Sequence, residues 1–479
     1  MLLTIDIGTS TFKSALWNEL DSGGNCLSYA SVPLSIDVID NIIHETTAQE
    51  WINAFEKCCE KLILNARLNN LNSVNAIIIS GNGPSLVPVF NEPFFNNGKL
   101  CVPSDNARLW LDRRAVKYQE EVSSQMGGFV DASFFLPKIL FIKKEEIDLY
   151  NKTKYFLGCP EYLAYALTGQ AKSVFPCEGF DRWFWNNNVL EKLDLEKKKF
   201  PDFIKPGDHF GTILPVIANH FNFRENIPVI TGGPDFFAAI LGSGVVKPGQ
   251  ACDRAGSSEG INFCVKKQVN EKRLMSYRHP IKQYWNLSGI INTTGKAIEW
   301  GCKLFDFNFD DFISLAKKSK HGSAGMVFNP YLAGERAPLW DPDIRANWSG
   351  INLSSEKSDF ANSILEGIGF SIKDVINIME DTGENVEQLH VTGKLAKCDF
   401  LNQIKADITG KTIYEGVYKE TELLGLAIIG SCSLGKYSSF EEASLNMVKM
   451  EKQYDPNPEK MDLYNQLFNK YRNNRNRDN

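Results

Sequence analysis

Four short apolar runs in this chain close on glycine: LLTIDIG at residues 2–8, VNAIIISGNG at 74–83, IPVITGGPD at 227–235 and EQLHVTGK at 387–394. Each is strand-sized, and the first three are rich in Ile or Val. Longer amphipathic stretches such as TAQEWINAFEKCCEKLILNAR and EKSDFANSILEGIGFSIKDVINIME lie between them. Strands that alternate with helices in this way predict an α/β fold. Two internal echoes add to the pattern. The segment at 6–13, DIGTSTFK, is faintly answered by DRAGSSEG at 253–260, and the strand ending near Gly81 is answered by the one ending near Gly393. Repetition in the same order predicts two lobes of similar plan facing each other across a cleft. The punctuation GSGVVKPGQ at 242–250 places the boundary. The expected division is residues 1–246, residues 247–450, and a C-terminal helix and polar tail at 451–479.

Bulk properties exclude several function classes. The 479 residues, 43% hydrophobic and 23% charged, suffice for two or three cores. A net charge of −6 argues against nucleic acid or an anionic membrane as the main partner. Eleven cysteines are scattered with no C-x-x-C or zinc spacing, which reads as a reduced, cytoplasmic chain without a disulfide framework. Asp6 within the first apolar stretch speaks against a signal peptide, and no apolar run approaches the ~20 residues that cross a bilayer. The basic end YRNNRNRDN reads as a frayed, solvated terminus.

Five segments could carry chemistry. In DIGTSTFK, a strand ending at Gly8, Thr9 and Ser10 offers N–H groups and hydroxyls to phosphate oxygens, with Lys13 near enough to add charge. Asp6 could hold a water on Mg²⁺, because a hard cation takes carboxylate and water oxygens. A plain turn with an incidental Asp is the competing reading. In VITGGPDFFAAILGSG, Asp235 follows a strand and heads an apolar helix, so it could cap that helix or accept a proton from a substrate hydroxyl. Gly256, Ser257 and Ser258 form a second possible phosphate turn. In ARLWLDRRA, Trp110, Asp112 and Arg114 alternate, either as an exposed charged segment or as a polar wall for a hydroxyl-rich ligand. Residues 329–350 combine turn formers with Glu335, Arg336, Trp340 and Asp341, which a Glu–Arg pair ordering a loop would also explain.

Taken in order, DIGTS, W-x-D-x-R, GGPD…LGSG, the Gly-Ser-Ser turn, PYLAGERAP and TGK…NQIKADITG resemble the FGGY family of carbohydrate kinases, over about residues 2–440. The resemblance implies two actin/hexokinase-like lobes on ribonuclease-H-type sheets, with sugar and ATP meeting in an interlobe cleft. It implies ATP-binding roles for Gly8, Thr9, Ser10, Thr11, Lys13, Gly256, Ser257, Ser258, Gly295, Glu299, Gly393, Lys394 and Cys398. It implies substrate contacts from Asn82, Gly83, Pro84, Trp110, Asp112, Arg114, Asp235 and Phe236. Asp235 falls on the family's catalytic Asp, and Asp6 and Asp235 on its Mg²⁺-approaching carboxylates. ETELLGLAIIGSCSLGKY resembles the family's late, glycine-containing helix.

Two departures bear on specificity. Where xylulokinases carry Ser-Gly-Gln-Met-His-Gly, this chain has Ser80-Gly81-Asn82-Gly83-Pro84-Ser85, without the Met-His pair that touches the sugar. The glycine-rich adenine loop is reduced to Thr392-Gly393-Lys394-Leu395. The expected activity is ATP- and Mg²⁺-dependent phosphorylation of a ketose, polyol or sugar acid by an Asp general base. A non-catalytic sugar or nucleotide sensor on the same fold is the alternative. The expected partner is a small sugar or polyol, with no nucleic acid and no membrane, and the family's common dimers make a homodimer one assembly to consider.

Overall fold

The computed structural model describes residues 1–18, 24–40 and 42–475. The chain forms two compact units. One holds Met1–Gly242 with Glu422–Met447, the other Ser243–Thr421 with Val448–Asn479.

The first unit is built on a six-stranded sheet in the order His209–Thr212, Pro228–Pro234, Ala76–Gly81, Leu2–Ile7, Thr11–Trp17, Cys26–Pro33. The three central strands are parallel to one another, and the outer neighbours run antiparallel. Leu2–Ile7 and Ala76–Gly81 are buried at every residue, which is why they read as continuous apolar runs and not as alternation. Helix Gln49–Ala66 covers one face, burying Trp51, Ile52, Phe55, Cys58, Cys59 and Leu62 at helical spacing, and stops at Arg67 in the left-handed region (φ 54°). A satellite cluster around Leu136, Ile139, Phe156, Trp185 and Phe200 belongs to the same unit.

The second unit repeats the plan. Its seven-stranded sheet runs Met275–Arg278, Trp285–Ile291, Glu259–Val265, Gln250–Ala255, Gln388–Thr392, Thr412–Gly416, Met450–Tyr454. Again an antiparallel meander feeds a run of parallel strands closed by an antiparallel edge. The turn 6–13 and the turn 253–260 thus occupy equivalent places, each between the first two strands of its sheet. The 24-residue helix Lys357–Glu380, started by a capping box between Glu356 and Asp359, fills the core.

The units are not linear segments, unlike the expected division at 246 and 450. Helix Thr421–Ser433 lies on the first unit's sheet because two glycines let it come close. A Cβ on Gly425 would overlap the Ala238 carbonyl, and one on Gly430 would sit 2.7 Å from Ile78 Cδ1. The chain then returns to the second unit, whose core takes Tyr464, Leu467, Phe468 and Tyr471 from helix Met461–Asn474. The basic end therefore corrects the expectation of a frayed terminus as far as residue 475: Tyr471 is buried and Arg475 pairs with Asp374. Its last four residues lie outside the described ones.

Candidate active site

Three neighbouring parallel strands end together in the first unit. Ile7 lies opposite Gly81, and Gly81 opposite Pro234. Asp6, Asn82 and Asp235 are therefore brought to one edge of one sheet, the carboxyl ends of its strands, where open α/β sheets bind ligands. Asp6 is buried in the strand. Asp235 is half-buried, begins helix Asp235–Gly242, and accepts the Phe236 N–H at 2.6 Å. The buried Cys159 thiol reports the same gathering of charge. Its pKa is pushed well up, first by burial and then by the carboxylates of Glu161, Asp6 and Asp235.

The turn after Asp6 is closed by Gly8 N–H on the Thr11 carbonyl at 3.0 Å. Lys13 is the cross-strand partner of Asp6, so both side chains fall on one face of the sheet. Trp110 donates its indole N–H to Thr9 Oγ1 at 2.9 Å, which joins the expected acceptor segment to the expected phosphate turn.

The polar members of the expected acceptor wall are committed to protein partners. Asn82 donates to the Ile7 carbonyl at 2.9 Å and accepts from Ser85. Asp112 is fully buried, accepts the His44 N–H at 3.0 Å, and pairs with Arg114 at 2.7 Å, which also reaches Glu45 at 2.6 Å. That pair fastens the W-x-D-x-R segment to strand Ile43–Thr46.

Lys138 was missed in the sequence. It is fully buried and donates to the carbonyls of Pro84 (2.9 Å), Leu109 (2.7 Å) and Arg108 (3.4 Å), tying residues 82–85 to residues 108–112. The available signal was a lysine inside the apolar run FLPKILFI. Burial pulls its pKa down to about 7, while the Asp112 charge opposes the shift. The sign follows. Between about 7 and its ordinary 10.5, the unfolded chain holds a proton that the folded one has lost, so stability gains with pH across that window. Urea midpoints for the native chain and Lys138→Met, taken from pH 7 to pH 9, should show the native chain gaining relative to the variant. Parallel curves would mean that the buried amine keeps its proton on the three carbonyls, and would remove the lowered pKa.

The second unit gathers the other set. Gly256, Ser257 and Ser258 turn between strands Gln250–Ala255 and Glu259–Val265, with Gly256 N–H on the Ser258 carbonyl at 3.0 Å. Helix Gly295–Phe305 starts against this turn, its Gly295 N–H bonding the Gly256 carbonyl at 3.0 Å. Any Cβ on Gly295 would overlap that carbonyl. Gly393 has φ +84°, and a Cβ there would lie 2.5 Å from the Ala255 carbonyl. Glycine is thus required at both positions, and both converge on the Gly-Ser-Ser turn. Glu299, one turn into the helix, and Lys394 are exposed, and Cys398 is half-buried just ahead of helix Asp399–Thr409. In the 329–350 segment, the buried Glu335 accepts N–H groups from Asn292 (2.7 Å) and Arg336 (2.8 Å), and burial raises its pKa to about 7. These bonds tie the loop at Glu335 to Asn292.

Beneath the turn lies a buried charge cluster. Lys405 Nζ pairs with Asp253 Oδ2 at 2.7 Å and with Glu259, and all three side chains are buried. Among the described residues, no three His, Cys, Asp or Glu side chains group as a metal cage, and no helix is long and apolar enough to cross a membrane.

Comparison with known proteins agrees with this architecture. The N-terminal domain of the FGGY family of carbohydrate kinases matches residues 1–242, and its C-terminal domain residues 254–434. A xylulose kinase of Staphylococcus epidermidis is 28% identical over 98% of this chain and 95% of its own length. A gluconate kinase structure from Lactobacillus acidophilus superposes with TM-score 0.84 at 21% identity, covering 99% of this chain and 97% of the other. A ligand-bound xylulose kinase from the same organism gives 0.83 at 21% identity, covering 99% and 98%. The chain belongs to the FGGY family of carbohydrate kinases, phosphotransferases whose acceptor is an alcohol group.

Proposed function

We propose that the protein transfers the γ-phosphoryl group of ATP to a hydroxyl of a small ketose, polyol or sugar acid, with Asp235 as general base. The carrying observation is the shared strand-end edge of Asp6, Asn82 and Asp235 in the first unit. The names of its relatives, xylulose kinase and gluconate kinase, support this acceptor class.

The first unit supplies the acceptor side. Asp235 orients the hydroxyl and takes its proton as the oxygen bonds to phosphorus and the bond to the ADP oxygen breaks. Trp110 sits beside the acceptor, and Lys138 holds the two backbone segments that frame it. The second unit supplies the nucleotide side, where Gly256, Ser257 and Ser258 offer N–H groups and hydroxyls to phosphate oxygens and Gly295 and Gly393 allow close backbone approach. Asp6 and Asp235 fit Mg²⁺, which is commonly held by one or two carboxylates with waters and substrate phosphates. When bound, Mg²⁺ neutralises charge on the transferring phosphates.

The test is ADP release with ATP, Mg²⁺ and a panel of ketoses, polyols and aldonates. Turnover confined to one acceptor class is expected. Nucleotide binding with no turnover on any acceptor would overturn the reading in favour of a sensor.

A further inference from the structure

The residue after Asp235 is Phe236, not a polar side chain. Its ring stacks on Phe180 at 5.6 Å between centroids with planes 13° apart. Phe180 meets Trp183 edge-on at 5.0 Å, and Trp183 stacks on Phe134 at 5.6 Å and 13°. Phe236, Phe180 and Phe134 are half-buried, while Trp183 is buried. A continuous aromatic ladder therefore starts at the proposed base. In the same unit, polar groups expected to address the acceptor are engaged within the protein: Asn82 by Ile7 and Ser85, Asp112 by His44 and Arg114, Trp110 N–H by Thr9.

Resting on the kinase reading above, we infer that this site is built for an acceptor with an apolar face, a deoxy or C-methyl sugar or polyol, and that Phe236 determines this specificity. A hydroxyl set against the Phe236–Phe180 rings loses its water without gaining a partner, whereas a methyl or methylene group gains contact area there. A ring wall rejects an added hydroxyl only moderately, so the discrimination is of the order of 10- to 100-fold. Phe236 is the residue best placed to impose it, since it follows Asp235 directly, its backbone N–H holds the Asp235 carboxylate at 2.6 Å, and its ring is held by stacking on Phe180.

The experiment uses matched pairs: a 6-deoxyketohexose against its parent ketohexose, and a terminally deoxygenated alditol against its parent alditol. For each pair, binding is measured by calorimetry and kcat/KM by ADP release, on the native protein, Phe236→Asn and Phe180→Leu. In at least one pair the native protein should favour the deoxy member about 10-fold or more, and Phe236→Asn should reduce that ratio about 10-fold. Phe180→Leu, which keeps an apolar side chain, should retain the preference, and calorimetric binding of an acceptor by Phe236→Asn shows that this variant is folded. Parent acceptors favoured in every pair, ratios unmoved by Phe236→Asn, or no binding by any deoxy member would each overturn the inference. Tight deoxy binding with no phosphorylation would instead overturn the kinase reading and leave the aromatic specificity standing.

Discussion

Asp235→Asn should yield a folded protein that still binds ATP and acceptor, yet turns over about 10²–10⁴-fold more slowly. Folding should survive because Asp235 is half-buried at a helix start, and Asn offers the same oxygen to the Phe236 N–H that the carboxylate accepts at 2.6 Å. What Asn cannot do is take a proton. If Asp235 were only a helix cap, the substitution would leave both stability and turnover nearly untouched, since Asn caps as well as Asp. The two readings of this residue therefore separate cleanly in one variant. Calorimetric binding of acceptor together with single-turnover formation of the phosphorylated product is the measurement. Native turnover in a folded Asp235→Asn protein would remove the general base from the mechanism.

The sequence made the strands legible because parallel strands covered on both faces must be apolar throughout, as in AIIISG and LLTIDI. It also made the twofold plan legible, because the turns at 6–13 and 253–260 keep similar residues in equivalent positions. Asp6 and Asp235 could be paired in advance only through the order of motifs, since their place on one sheet edge depends on the register of three strands far apart in the chain. Less was readable where tertiary packing decides. Asp112 and Arg114 read in ARLWLDRRA as either an exposed charged segment or a polar wall for a ligand, yet they close on each other and on Glu45, and Asp112 also takes a backbone donor from His44, 68 residues away. Lys138 was hidden because a lysine in an apolar helix has no local partner, and its carbonyl acceptors come from two distant loops. The return of residues 422–447 to the first unit was equally hidden, because the close approach at Gly425 is a fact about Ala238 and not about the helix's own sequence.

Lys405→Met should be the most destabilising single change in the second unit's charge cluster, at about 3–5 kcal/mol, since it leaves buried carboxylates without their cation. Lys405, Asp253 and Glu259 are each at most 1% exposed, so water cannot replace the lost ammonium. Two carboxylates against one ammonium already crowd the site. The Glu259 pKa is pushed well up, first by burial and then by Asp253, with Lys405 opposing the shift. Removing the cation takes away that opposition and raises it further. A carboxyl whose folded pKa is raised holds its proton where the unfolded chain has released it, so its contribution to stability declines as pH rises through that window. The deficit of Lys405→Met should accordingly be smaller near pH 5 than near pH 8, as read from urea midpoints. Adding Asp253→Asn and Glu259→Gln to the same chain should recover most of the loss, because a neutral cluster needs no counter-charge. The strands carrying Asp253 and Glu259 flank Gly256, Ser257 and Ser258, so the single variant should also bind ATP more weakly, and the triple variant should regain that binding. A deficit below about 1 kcal/mol that does not change with pH would mean that the cluster is solvated, and the account of how this turn is held would have to be abandoned.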